Sequence, residues 1–357
     1  MKQFSGINDP VFEPNKKRTA LDRFFLKMIR DERDLPFIRL SLFLIFAIIP
    51  SGILMFFHIL PGYWWYIQVV VHLALLVPRM GPFTLMLHNT SHRPFFKEEY
   101  KWGNGIIPWL IGPFMGQSPF TYYAHHIGMH HSEANMPDDK SSTMPYQRDT
   151  AGGFFHYWFS FITIGIGQLV AYFTKKNTKT RRHFQWISIR GEFLFWGFCV
   201  AMCFVDWQST LFVFIAPILV IRTFMMMGNW AQHAFVAQED PENDYKNSIT
   251  CINSAYNKMC FNDGYHIGHH ANPNMHWTDM PGDFVKNQQK YIDNDSIVFE
   301  ALDYNQIWFY LMLKRYDILA KYFVNLGNRF SSDEEVIALL KSRTQRFQMS
   351  NFAGTAS

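Results

Sequence analysis

From Phe37 to Leu60 the chain carries no Lys, Arg, Asp or Glu after Arg39, and this leaves few folds open. A helix of about 20 apolar residues crosses the hydrocarbon of a bilayer, where each backbone N–H and C=O must pair within the segment. Pro61-Gly62 supplies a turn, and Tyr63, Trp64 and Trp65 are rings of the kind that settle at membrane interfaces. A second apolar run, Ile67–Leu87, leads back and ends on His88 and His92. The pattern predicts a helical hairpin whose return leg delivers histidines to the membrane edge. Arg79 inside that leg is expected to snorkel or to pair within the bundle. Charged residues at 17% and aromatics at 18% suit a membrane chain, while a mean hydropathy of −0.09 is too polar for one that is mostly membrane. A few spans and a sizeable cytosolic part follow.

The remaining chain divides around these spans. Residues 1–36 form a cytosolic segment with Lys16, Lys17, Arg18, Arg23, Lys27, Arg30 and Arg33, placed inside by the positive-inside rule, and no cleavable signal peptide is expected. Gly105–Phe114 is apolar but too short to cross, so it is expected to be re-entrant or interfacial. Phe154–Phe173 is long enough to span, yet the basic run Lys175–Arg190 follows it. If it lies flat or within the cap, the basic run stays inside, and Phe193–Val205 with Leu211–Met227 makes a second hairpin tipped by Asp206-Trp207-Gln208. A six-helix arrangement is the alternative. The expected fold is all-α: an integral membrane protein of about four transmembrane helices, in two hairpins, under a helical cytosolic cap. Residues 37–277 make the membrane domain and 278–357 a cytosolic C-terminal segment, with helices over Ala301–Gln345, a loop-like Thr278–Ile297 and a frayed Phe347–Ser357. Glu239–Asn262 reads as a polar excursion. Cys199, Cys203, Cys251 and Cys260 lack CxxC spacing and suit a reducing compartment.

Histidines recur at helical spacing in four places. They are His88 and His92; His126, His130 and His131, with His125 just ahead; His233, four residues after Asn229; and His266, His269 and His270. Offsets of three and four share a helix face, and imidazoles aimed at one point repel when charged, so a metal is the reason for them to converge. Nine ligands are too many for one ion. Two ions would take four or five each with positions left open, which suits iron and not tetrahedral zinc. The zinc-protease pattern HExxH is excluded, because Asn89 holds the Glu position. His58, His72 and His156 read as core residues, His183 as surface and His276 as structural. Asp138 and Asp139 have two readings, as acceptors for ligand N–H groups or as part of a solvated loop.

With these clusters in order, the chain over Phe37–Trp277 resembles the membrane fatty acid desaturase and hydroxylase superfamily. HHIGMHH followed by DDKSS, NWAQHAF and HIGHHANP are similar to stretches of alkane monooxygenases, although Asn89, Gln232 and Ala234 depart from that pattern. An Asn four residues before the later histidine, here Asn229, also occurs in acyl-CoA desaturases, where it reaches the metal through water. The resemblance implies a non-haem diiron site, with the nine histidines as ligands and Asn229 beside it.

Such a site, beside an apolar interior, implies dioxygen and a lipid or acyl chain as substrates, with desaturation of an unactivated C–H bond expected first and hydroxylation as the alternative. Phe83, Leu87, Phe224, Met225, Met226 and Met227 are the channel candidates, against ordinary packing. No HPGG occurs, so electrons are expected from a separate donor of cytochrome b5, ferredoxin or rubredoxin type, docking on the basic face unless that face meets phospholipid. The expected location is multi-pass in a membrane, the histidines facing the cytoplasm (endoplasmic reticulum in a eukaryote, inner membrane in a bacterium). A formal charge of +4 and the absence of a recognition motif argue against nucleic acid. A haem-binding or metal-transporting membrane protein is the rival from another class. It would place histidines near the midplane, whereas these lie beyond the span ends.

Overall fold

The computed structural model describes residues 1–14, 17–175 and 178–348, so Lys16 of the basic segment and residues 349–357 of the expected frayed tail lie outside the described residues. Its principal helices are α1 (Glu32–Met55), α2 (Trp65–His92), α3 (Thr121–His125), α4 (Ala151–Lys175), α5 (Lys179–Thr210), α6 (Ala216–Gln232) and α7 (His266–Ala271). Among the described residues, four helical stretches are long and apolar enough to cross a membrane: Glu32–Met55, Gly62–His92, Ala151–Lys175 and Lys179–Gln232. The fold is therefore mainly helical, as expected. Two compact units interleave along the chain, one of Phe12–Gly128 with Phe173–Arg222, the other of Met1–Val11, Met129–Tyr172 and Thr223–Ser357.

In the first unit, α1 and α2 form the expected hairpin. Gly62 takes the positive φ of +60° that the turn requires, and Trp65 Nε1 donates to the Met55 carbonyl (3.0 Å) across it. Met55, Trp65 and Val69 share a core with Phe195, Cys199, Val213 and Phe214. The helical run that follows Thr178 breaks at Asp206, whose backbone is extended (φ −159°, ψ 106°), so α5 folds back onto the turn leading to α6. Phe198 packs edge-on to Phe214 at 5.1 Å, completing the second hairpin with its tip at Asp206 as expected. Phe46, Phe57, Phe193 and Phe204 point their rings outward, an apolar exterior suited to lipid. Arg79 pairs within the bundle, its guanidinium 4.9 Å from the Phe43 ring. His72 is buried with Nδ1 2.8 Å from Ser51 Oγ, as a core histidine should be.

His58 corrects the expectation. It is exposed at the first hairpin's tip, where Nε2 meets Asp206 Oδ2 at 2.8 Å, because the polar tip of the second hairpin offers a carboxylate there. His156 is likewise exposed, not core.

The second unit holds α4, with Phe154 and Tyr157 buried against Met226 and Trp230. It also contains two strands that the sequence reading lacked: β1 (Ile249–Ile252) and β2 (Ile297–Glu300), paired in parallel with Ile249 opposite Ile297. Both are short, and β1 is buried throughout, so no in–out alternation announces them. Residues 239–262 are thus more than a polar excursion. Residues 278–297 are not loop-like either, since Met280–Lys286 and Gln288–Asp293 are helical. Helices Tyr304–Met312, Tyr316–Tyr322 and Asp333–Ser342 follow as expected, packing Ile307, Leu311, Leu319, Val336 and Leu340 around the strands.

Candidate metal centre

In the first unit, His88 and His92 occupy the last turn of α2, and His126 begins the π-helical turn His126–His130 that continues α3. A donor nitrogen from each of His88, His92 and His126 lies within 4.8 Å of the others. His92 Nε2 and His126 Nε2 are 3.0 Å apart, and Tyr122 Oη sits 3.3 Å from His88 Nδ1 while its ring stacks on His126. Asn89 turns away: its amide donates to the Leu85 carbonyl at 2.8 Å.

In the second unit, His130, His233, His266 and His270 bring one donor nitrogen each within 4.8 Å of the others. His266 Nε2 lies 3.0 Å from His270 Nε2 and 3.3 Å from His233 Nε2. His131 and His269 face each other at 2.9 Å through their Nε2 atoms. The box at 126–131 is therefore divided: His126 joins one set and His130 another. The wider i→i+5 bonding of a π turn takes the two off the single line an α-helix would give them.

The second unit also fixes the rings from behind. Asp139, fully buried, accepts from His130 Nδ1 at 2.8 Å, so that nitrogen carries the proton and Nε2 is left to coordinate. Of the two readings of this loop, Asp139 follows the first. His233 Nδ1 donates to the Asn247 carbonyl at 2.9 Å and does the same job. Burial and the neighbouring imidazoles push His233 down to about 4 and His270 well below the ordinary histidine value, which keeps both neutral and able to bind metal. Arg148, its guanidinium buried, donates to the carbonyls of Ala234, Arg343 and Gln345 at 2.8–2.9 Å, anchoring the backbone just after His233. Gly264 opens α7's approach, where a Cβ would stand 2.3 Å from the Cys251 carbonyl oxygen. Asp9 steadies the same approach by accepting from Asn253 N, Asn257 Nδ2 and Tyr265 Oη at 2.7–3.0 Å.

Imidazole nitrogens bound to one ion at about 2.0–2.1 Å stand about 3 Å apart when cis. The observed spacings are those distances, and the backing acceptors set the tautomers that coordination needs, so the donor sets suit transition-metal ions. Asn229 is placed differently from a ligand's neighbour with free donors: its Nδ2 is committed to the Ser141 carbonyl (2.9 Å) and Tyr157 Oη (2.7 Å). His276 stays out of both sets and bonds Thr278 Oγ1 at 2.8 Å, the structural role expected of it. Sequence reasoning missed Tyr122, Asn247, Arg148 and Asp9, whose roles come from contacts distant in sequence and carry no local motif.

A cavity of about 330 Å³ lies in the first unit, with His92 in its wall beside Leu87, Phe95, Ile107, Phe120 and Tyr123. Of the channel candidates Leu87 lines it; Phe83 and Met226 are buried packing residues, and Phe224 is exposed.

A family model described as "Fatty acid desaturase" matches residues 71–294, more than half of the chain. No curated protein and no solved structure matches it.

Proposed function

Because the chain belongs to the fatty acid desaturase family, an oxidoreductase family of membrane lipids, we propose that it desaturates an acyl chain in a dioxygen-dependent reaction. The observation that carries this is the close approach of imidazole nitrogens, at 2.9–3.3 Å, within each set of histidines. The nine histidines are the proposed ligands of two non-haem irons. His130, His233, His266 and His270 take one, His88, His92 and His126 serve the second, and His131 and His269 supply the rest. Asn229 is proposed as a neighbour of the site acting through its carbonyl oxygen. When bound, the irons reduce dioxygen and provide the power to remove hydrogen from an unactivated methylene.

The chain's own part is orientation and exclusion of water. Asp139 and Asn247 hold their histidines in one tautomer, and Tyr122 packs His126 in place. The cavity beside His92 receives the acyl chain and brings one methylene within reach, where placement decides which carbon reacts. Electrons come from a separate carrier of cytochrome b5, ferredoxin or rubredoxin type, for which the exposed basic residues Lys179 and Arg182 are a docking face. The histidines face the cytoplasm in this proposal, with 1–36 and 278–357 cytosolic about the membrane domain 37–277.

Mass spectrometry of lipids from cells expressing the chain tests the reading. Loss of two hydrogens from an acyl chain is expected. Gain of one oxygen instead would make the enzyme a hydroxylase, the outcome to which the stretches HIGMHH and NWAQHAF point. No new product, with iron bound, would refute both.

A further inference from the structure

Phe120 stands at the start of α3 with φ +63° and ψ −4°. A bulky residue adopts that left-handed conformation only where its surroundings impose it, and such strain gathers at functional sites. The surroundings here are polar and buried. Ser118 Oγ bonds Glu192 Oε1 and, at 2.9 Å, Thr121 Oγ1. Glu192 in turn accepts from Arg222 Nη2 at 2.6 Å and from Trp196 Nε1 at 2.9 Å. Gly191 admits the turn against α5 so closely that a Cβ would stand 1.9 Å from the Pro119 carbonyl oxygen. On its other side Phe120 meets Trp109 edge-on at 5.9 Å, and the Arg190 guanidinium lies 5.4 Å from the Trp109 ring.

A buried ion pair returns little stability for its desolvation, and ionisable residues in membrane segments mark functional positions. What this pair fixes is the turn 118–121, which presents Ser118 and the much larger Phe120 ring to the cavity. Six residues further on is His126, about 9 Å away along a helix at 1.5 Å per residue. The ring is a wall of the same cavity that has His92 in its lining.

We propose that Phe120 is the specificity-determining wall that limits the length of acyl chain admitted, with Ser118, Glu192 and Arg222 as the lock that holds it in place. The inference rests on the acyl reading of the cavity. Its test measures binding without turnover: displacement of a fluorescent fatty acid from the iron-loaded protein in detergent by free fatty acids lengthened two carbons at a time. Wild type should lose affinity beyond a limiting length. Phe120→Ala should move that limit upward by at least one step, the longer acid gaining about tenfold, as expected for burying two further methylenes. Glu192→Gln, which keeps the shape and removes the charge, should blur the limit at unchanged iron content. If Phe120→Ala does not fold, Phe120→Leu reads the same shift at smaller amplitude. A wild type that discriminates by length beside a Phe120 variant with the identical profile overturns the assignment and leaves the acyl reading intact. A wild type that binds no fatty acid overturns both.

Discussion

Replacing Asp139 by Asn tests how the proposed metal centre is held. Donors reach both carboxylate oxygens: His130 Nδ1 (2.8 Å) and Asn135 N (3.1 Å) on Oδ2, Ser141 N (2.8 Å) and Ser141 Oγ (2.6 Å) on Oδ1. An amide has one acceptor oxygen, so one pair of donors must face its NH2. Turned away from His130, it leaves that ring without its orienting acceptor. Turned toward it, the amide still offers a neutral oxygen where an ionised one had been, and hydrogen bonds to charged groups are about twice as strong. Loss of a partner that orients a metal-bound histidine lowers affinity about 10–100-fold, or about 1.4–2.8 kcal/mol. The first orientation belongs at the upper end and the second at the lower. Competition between the purified protein and a chelator for ferrous ion measures the change. A folded Asp139→Asn protein with wild-type affinity would refute the account of how His130 is held.

His269→Ala should abolish product formation and lower iron content, while His276→Ala should retain iron, its Nδ1 being bonded to Thr278; metal analysis of the two proteins decides. Burial pushes the Asp263 carboxyl up from 3.8 to about 6, although Tyr256 Oη donates to it at 2.7 Å. The folded state therefore binds this proton more tightly than the unfolded chain, and the penalty is absent below about 4 and complete above about 6, on the order of 3 kcal/mol. Asp263→Asn keeps the acceptor for Tyr256 and should melt above wild type at neutral pH, an advantage that closes as pH falls from about 6 to about 4. Parallel melting curves at every pH would contradict it. Gly264→Ala should prevent accumulation of folded protein, because its Cβ would meet the Cys251 carbonyl oxygen at 2.3 Å and Asn257 Oδ1 at 2.4 Å; normal expression with bound iron would show that the approach to α7 gives way more easily than its packing implies.

The apolar runs and the histidine spacing determined, by themselves, the helical hairpins and the residue types of the centre. Membrane helices satisfy their own hydrogen bonds, so length and hydropathy suffice to announce them, and i, i+4 pairs are local geometry. The tertiary structure alone decided how the histidines are shared out. His126 and His130, neighbours in one box, go to different sets because the π turn changes their relative direction, and His269 pairs with His131 while His266 and His270 join His233. It also decided the parallel strand pair, the break at Asp206 and the strained Phe120, each imposed by partners far along the chain. Local pattern carries no record of such partners: a carboxylate behind a histidine or an ion pair behind a turn gains its role only when folding brings the two together.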